Sequence, residues 1–204
     1  INDIATGTFS RLSSPEAATS PSWTPDGNSV VYTALGTTKR YAVWRQNADG
    51  GSPAEKLFDA LGFTLQSVIA PDGRSVLYVG YADNDWQIFR VALDSPTVAT
   101  RYVDHVIGRL PPAFSPDGRR VMISSGDGSG NNAEVYVRSY PDATARVQVS
   151  AGGGANSVWS PDGSRVYYTA GGKVMSATIA LACSPCRSHW PPRSERCGKR
   201  PSSA

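Results

Sequence analysis

A phrase repeated four times governs what this chain can fold into. It reads Trp23-Thr24-Pro25-Asp26-Gly27, Ile69-Ala70-Pro71-Asp72-Gly73, Phe114-Ser115-Pro116-Asp117-Gly118 and Trp159-Ser160-Pro161-Asp162-Gly163. Successive prolines lie 46, 45 and 45 residues apart, and the third residue after each glycine is valine: Val30, Val76, Val121 and Val166. A period of about 40–45 residues built from short strands marks a β-propeller blade.

The phrase has a physical logic. A large apolar residue two positions before the proline anchors the end of a buried strand. Pro-Asp-Gly then reverses the chain, because proline pre-sets φ, aspartate bonds nearby backbone and glycine accepts a positive φ. A second strand follows at Ser29–Thr33, Ser75–Val79, Arg120–Ser124 and Arg165–Thr169. These runs are β-branched, aromatic and nearly continuously apolar, as a strand covered on both faces requires. Third strands are expected at Tyr41–Arg45, Trp86–Arg90 and Glu134–Arg138, and short fourth strands near Glu55–Phe58, Val98–Val103 and Arg146–Ser150. The fold class is therefore all-β, a propeller of four-stranded antiparallel blades.

The phrase Ser-Pro-Asp-Gly followed by Val-x-Tyr resembles the TolB-like, WD-repeat-like propeller family over roughly residues 1–180. The most specific stretch is Glu134–Pro141, then Val147–Gly154, then Val158–Gly163. It is similar to propeller regions C-terminal to bacterial serine/threonine kinase domains, and less close to the propellers of prolyl-oligopeptidase-type hydrolases. The resemblance implies a module that binds, filters or senses, in a periplasmic or extracytoplasmic setting. Chemistry, where present in such proteins, belongs to another domain.

Residues 20–62, 65–103, 110–150 and 156–179 supply about four blades, the last without a fourth strand. Residues 1–13 read as strand from a preceding or closing blade. Two arrangements follow. The strand near Thr8–Leu12 completes the last blade and closes a four-bladed ring, or the chain is an arc of a larger propeller with six or more blades. The arc fits the family resemblance better, and its open blade edges invite self-association. The opening isoleucine, with neither methionine nor leader pattern, fits a fragment or processed chain.

Formal charge is +3, unevenly distributed. Residues 181–204 carry five Lys/Arg against one Glu, while the remainder holds 15 basic and 16 acidic side chains. So neutral a body argues against a nucleic-acid surface. No run approaches the 18 or so apolar residues of a membrane span. The basic, Ser/Pro-containing tail also holds Cys183, Cys186, His189 and Cys197 in a C-x2-C-x2-H-x7-C pattern. Three thiolates and an imidazole have the residue types for tetrahedral zinc. The Pro191-Pro192 pair and the lack of a hydrophobic staple around the cysteines favour a disordered end without metal, and no cofactor is expected.

Motifs for catalysis are absent: no G-x-S-x-G elbow, no H-E-x-x-H and no phosphate loop. Outside the tail His105 is the single histidine, so a Ser-His-Asp triad has one candidate base. Asp104 is its sequence neighbour, but adjacent residues tend to point apart. The run Gly126–Asn132 is similar to a phosphate or calcium loop without the lysine of one or the closing glutamate of the other. A long hairpin accounts for it better.

Alternating strand direction places the hairpins between second and third strands on one face with the inter-blade connections. The Pro-Asp-Gly turns lie opposite. That loop face gathers Arg40, Tyr81, Asp83, Asp85, His105, Arg109, Asp127 and Asn131, the candidate binding residues for a protein, peptide or small polar ligand. The leading expectation is a non-catalytic binding or sensory module. The alternatives are a glycosidase or esterase working through Asp83, Asp104 and His105, and the propeller portion of a prolyl-oligopeptidase-like enzyme. Inverting glycosidases need two carboxylates about 6.5–9.5 Å apart, and Asp83, Asp85, Asp104 and Asp127 are the loop-face acids that could supply them.

Overall fold

In a computed structural model of the chain, residues 2–3, 5–9, 11–12, 18–36, 39–106, 110–126 and 133–179 are described. All regular structure among them is β. A short hairpin, β1 (Asn2–Asp3) with β2 (Thr8–Phe9), precedes three four-stranded sheets and one three-stranded sheet. The first blade is β3 (Thr19–Trp23), β4 (Ser29–Leu35), β5 (Tyr41–Asn47) and β6 (Glu55–Asp59). The second is β7 (Phe63–Ile69), β8 (Ser75–Ala82), β9 (Asp85–Ala92) and β10 (Ala99–Val103). The third is β11 (Ala113–Phe114), β12 (Arg120–Ser125), β13 (Glu134–Ser139) and β14 (Arg146–Gln148). The last is β15 (Ala155–Trp159), β16 (Arg165–Ala170) and β17 (Lys173–Thr178). Within each sheet the strands lie in chain order and pair antiparallel, the meander of a propeller blade.

The four repeats make one turn. Gly27, Gly73, Gly118 and Gly163 have φ of +68° to +70°, and each glycine amide bonds the carbonyl three residues back. This is a type I turn closed by a left-handed glycine. The residue before the proline carries a role that the repeat alone did not reveal. Thr24, Ser115 and Ser160 each donate a hydroxyl to the turn aspartate at 2.6 Å, and each hydroxyl accepts an amide of the following strand at 2.9–3.0 Å. Those hydroxyls, with the backbone amides beyond the turns, hold the Asp26, Asp117 and Asp162 carboxyls below their ordinary range, Asp162 at about 2. Pro116 packs against the next blade's turn, 3.4 Å from where a Cβ on Gly163 would lie.

Blades stack through three apolar layers. Val31 and Val43 of the first meet Val76, Tyr78, Phe89 and Val91 of the second. Leu77, Val79 and Ile88 meet Val121, Ile123 and Tyr136 of the third. Met122, Val135 and Val137 meet Val166 and Tyr168 of the last. One face of each blade thus takes the Val-x-Tyr (or Val-x-Ile) strand of its successor. On the last blade the same face is open: Tyr167 is 38% exposed and Val174 76%, where Met122 and Val135 are at 1% and 0%.

Thr8–Phe9 pairs with Asn2–Asp3, and the last sheet ends at β17 with no fourth strand among the described residues. No helix among the described residues is long and apolar enough to cross a membrane.

Candidate functional site

The loop face between the second and third blades is built from two tight chain reversals. Asp83 and Asn84, at φ +54° and +61°, form the two-residue hairpin between β8 and β9. That geometry favours Asn, Asp and Gly, so the sequence Asp83-Asn84-Asp85 turns the chain and presents carboxylates on both sides. After β10 the connection turns at His105, φ +53°. It is clamped on both sides. Val106 donates its amide to Trp86 O at 3.0 Å, and Ser125 Oγ donates to His105 O at 2.6 Å.

These reversals bring four of the loop-face groups into two neighbouring clusters. His105 Nδ1 lies 2.9 Å from Asp85 Oδ2, and the His105 amide donates to the same oxygen at 3.1 Å. Arg101, on β10, reaches Asp83 Oδ2 at 3.0 Å and Asp104 Oδ1 at 3.3 Å. Asp85 therefore orients His105, and Asp104 turns away to Arg101. Tyr81 packs edge-on against Trp86, 5.3 Å between centroids. Arg40 is exposed and lines a separate cleft with Lys39, Tyr41 and Phe63, between the first blade and the start of the second. Arg109, Asp127 and Asn131 lie outside the described residues, as do Cys183, Cys186, His189 and Cys197. Among the described residues no group of three His, Cys, Asp or Glu is placed to hold a metal.

Arg101 escaped the sequence reading. Its signal was positional: it is the single cation near the end of a fourth strand, two and three residues before Val103 and Asp104. A cleft of about 470 Å³ adjoins these clusters, between Tyr102 and Val103 of the second blade and Ser125, Arg138 and Arg146 of the third. Tyr102 closes one wall, its hydroxyl donating to Ser139 O at 2.7 Å, and burial pushes that phenol's pKa well up. The innermost strands of three blades line a second groove of about 480 Å³, with Trp23, Val68 and Phe114 on its walls.

The stretch that most resembled the kinase-associated propellers has a structural role. Glu134 Oε1 accepts the amides of Gly152 and Gly153, each at 2.8 Å, and Oε2 accepts the Ser150 hydroxyl. The Ser150 hydroxyl first, then those amides, hold the Glu134 carboxyl below its ordinary range. The glycine run thereby locks the third blade's edge to the start of the last blade.

No protein-family model matches the chain. An uncharacterized protein of Agrobacterium fabrum, Atu1656, is 28% identical over 163 residues, covering 72% of this chain and 52% of its own. Among solved structures, TolB from Acinetobacter baumannii superposes with a TM-score of 0.66 at 20% identity, over 81% of this chain and 42% of TolB. The Cps50 (Swd1) propeller domain of Myceliophteria thermophila gives 0.64 at 13% identity, over 91% of this chain and 60% of that domain. The fold is a TolB-like, WD-repeat-like β-propeller. The chain spans about half the length of this curated relative.

Proposed function

We propose that this chain is a non-catalytic binding module, a propeller arc of a bacterial multidomain protein that engages a protein or peptide on its loop face. One observation carries the reading. The described loop-face acids are each paired, Asp83 and Asp104 with Arg101 and Asp85 with His105. Ser125, whose hydroxyl reaches the same turn, donates to the His105 carbonyl and not to the imidazole. A face with paired acids and exposed polar tips recognises a partner by shape and complementary charge. The kinase-associated propellers are the setting we favour, on the Glu134–Pro141 and Val147–Gly154 stretches.

Selection of random peptides displayed against the purified chain tests the face. Enriched peptides should lose binding at least tenfold on Arg101→Ala or His105→Ala. They should keep it on Arg74→Ala or Arg119→Ala, at the opposite Pro-Asp-Gly face. The reverse pattern would place recognition on the wrong side of the molecule and overturn the proposal.

A further inference from the structure

Two arginines face each other across adjacent strands of the third blade. Arg138 on β13 and Arg146 on β14 are direct partners in the antiparallel register, where like charges oppose one another at a cost to stability. Among the described residues neither makes an ion pair within salt-bridge distance. Arg138 Nη1 donates to Ala143 O at 3.2 Å, while its Nε is buried without a hydrogen-bond partner. Burial first, and then the charge of Arg146, draw the Arg138 pKa down. Arg146 is held in place by Tyr136, its guanidinium carbon 3.8 Å from the ring centroid. Both side chains line the 470 Å³ cleft, as do Asp104 and His105. Asp104 acts on Arg138 through its charge, but one of its oxygens is bonded to Arg101.

A half-buried guanidinium and an exposed one stacked on Tyr136, neither paired with a carboxylate among the described residues, form an incomplete recognition element. Arginine forks match the planar geometry of a carboxylate, and a bound carboxylate would offset both the mutual repulsion and the unpaired Nε. We propose that the cleft between Arg138 and Arg146 is a carboxylate subsite of the loop face, taking an acidic side chain or the C-terminal carboxylate of a peptide. The proposal rests on the binding-module reading and names the ligand chemistry of that module.

The test follows the Arg138 Nε–H resonance during titration at constant ionic strength. The probes are Ac-Ala-Ala-OH, Ac-Ala-Glu-Ala-NH2 and the neutral Ac-Ala-Ala-NH2. At least one carboxylate probe should shift the resonance saturably, and the neutral probe should not. Whichever carboxylate probe binds tells a chain end from an acidic side chain. Followed through the amide resonances of Tyr102 and Ser125, its affinity should fall at least tenfold in Arg138→Gln and in Arg146→Gln, and several-fold in Arg146→Lys, which keeps charge but loses the fork. Absence of a saturable shift with both carboxylate probes, or unchanged affinity in both glutamine variants, would overturn the subsite. Uncharged peptides selected on the loop face and indifferent to Arg138→Gln would overturn it too, while leaving the binding module standing.

Discussion

Asp85 holds His105 at two points: one carboxylate oxygen lies 2.9 Å from the imidazole Nδ1 and accepts the His105 amide at 3.1 Å. A single aspartate at the start of β9 thus fixes both the ring and the backbone of the connection to the third blade. His105 itself sits at positive φ, a conformation that a non-glycine residue keeps only when its surroundings hold it there. Asp85→Ala should destabilise the chain by about 1 kcal/mol, the scale of a partly exposed hydrogen-bonded charge. Amide exchange at Val106 should accelerate in step. An unchanged exchange rate at Val106 would mean that the clamp does not order the connection.

The turn aspartates set an acid dependence. Their carboxyls are depressed in the folded state, so they contribute stability above the unfolded-state value near 3.8 and lose it as pH falls through the folded values. Asp162 lies at about 2, which places the window between about pH 4 and pH 2. The triple substitution Asp26→Asn, Asp117→Asn, Asp162→Asn keeps the side-chain shape and removes the titration. Its melting temperature should vary less across that window than that of the parent chain. Parallel curves would show that the hydroxyl–carboxylate pairs do not couple to folding.

Gly62 and Gly50 share a positive φ, +66° and +68°, but differ in what surrounds them. A Cβ on Gly62 would lie 2.1 Å from Tyr81 O, whereas Gly50 has open space. Gly50→Ala should cost roughly 1 kcal/mol from backbone strain alone. Gly62→Ala should cost several times more, roughly 3 kcal/mol or above, because the β7–β8 pair must part. Denaturant unfolding of the two variants side by side measures the difference, and equal costs would contradict the close approach.

Val135 and Val174 occupy the same position on successive blades, yet one is fully buried and the other 76% exposed. Val135→Ala should cost roughly 1–3 kcal/mol through lost burial and a small cavity. Val174→Ala should stay within about 0.5 kcal/mol. Comparable losses in the monomer would mean that the last blade's outer face is covered after all.

The fold was legible because its determinants are local and repeated. Proline, aspartate and glycine fix the turn by their own backbone chemistry, and Val-x-Tyr marks the face that packs on the preceding blade. The hydroxyl of Thr24, Ser115 and Ser160 was visible as a letter, but its bond to the aspartate was not. The loop face was legible only in part. Strand direction put Asp83, Asp85 and His105 on one side, but their partners depend on where the ends of β9 and β10 meet in space. Arg101 looked like an ordinary strand cation, and Arg138 opposite Arg146 needs the register of β13 on β14 to be known. Nothing within one strand of sequence encodes a cross-strand partner.

Binding without turnover is tested by a rate. The purified chain is assayed against chromogenic esters, glycosides and peptides, alongside Asp83→Asn, Asp104→Asn and His105→Ala. Release should match buffer for every substrate, and the variants should match the parent. Turnover that survives purification and disappears in those variants would show that the Asp85–His105 and Arg101 pairs belong to a hydrolase, and the binding account would be wrong.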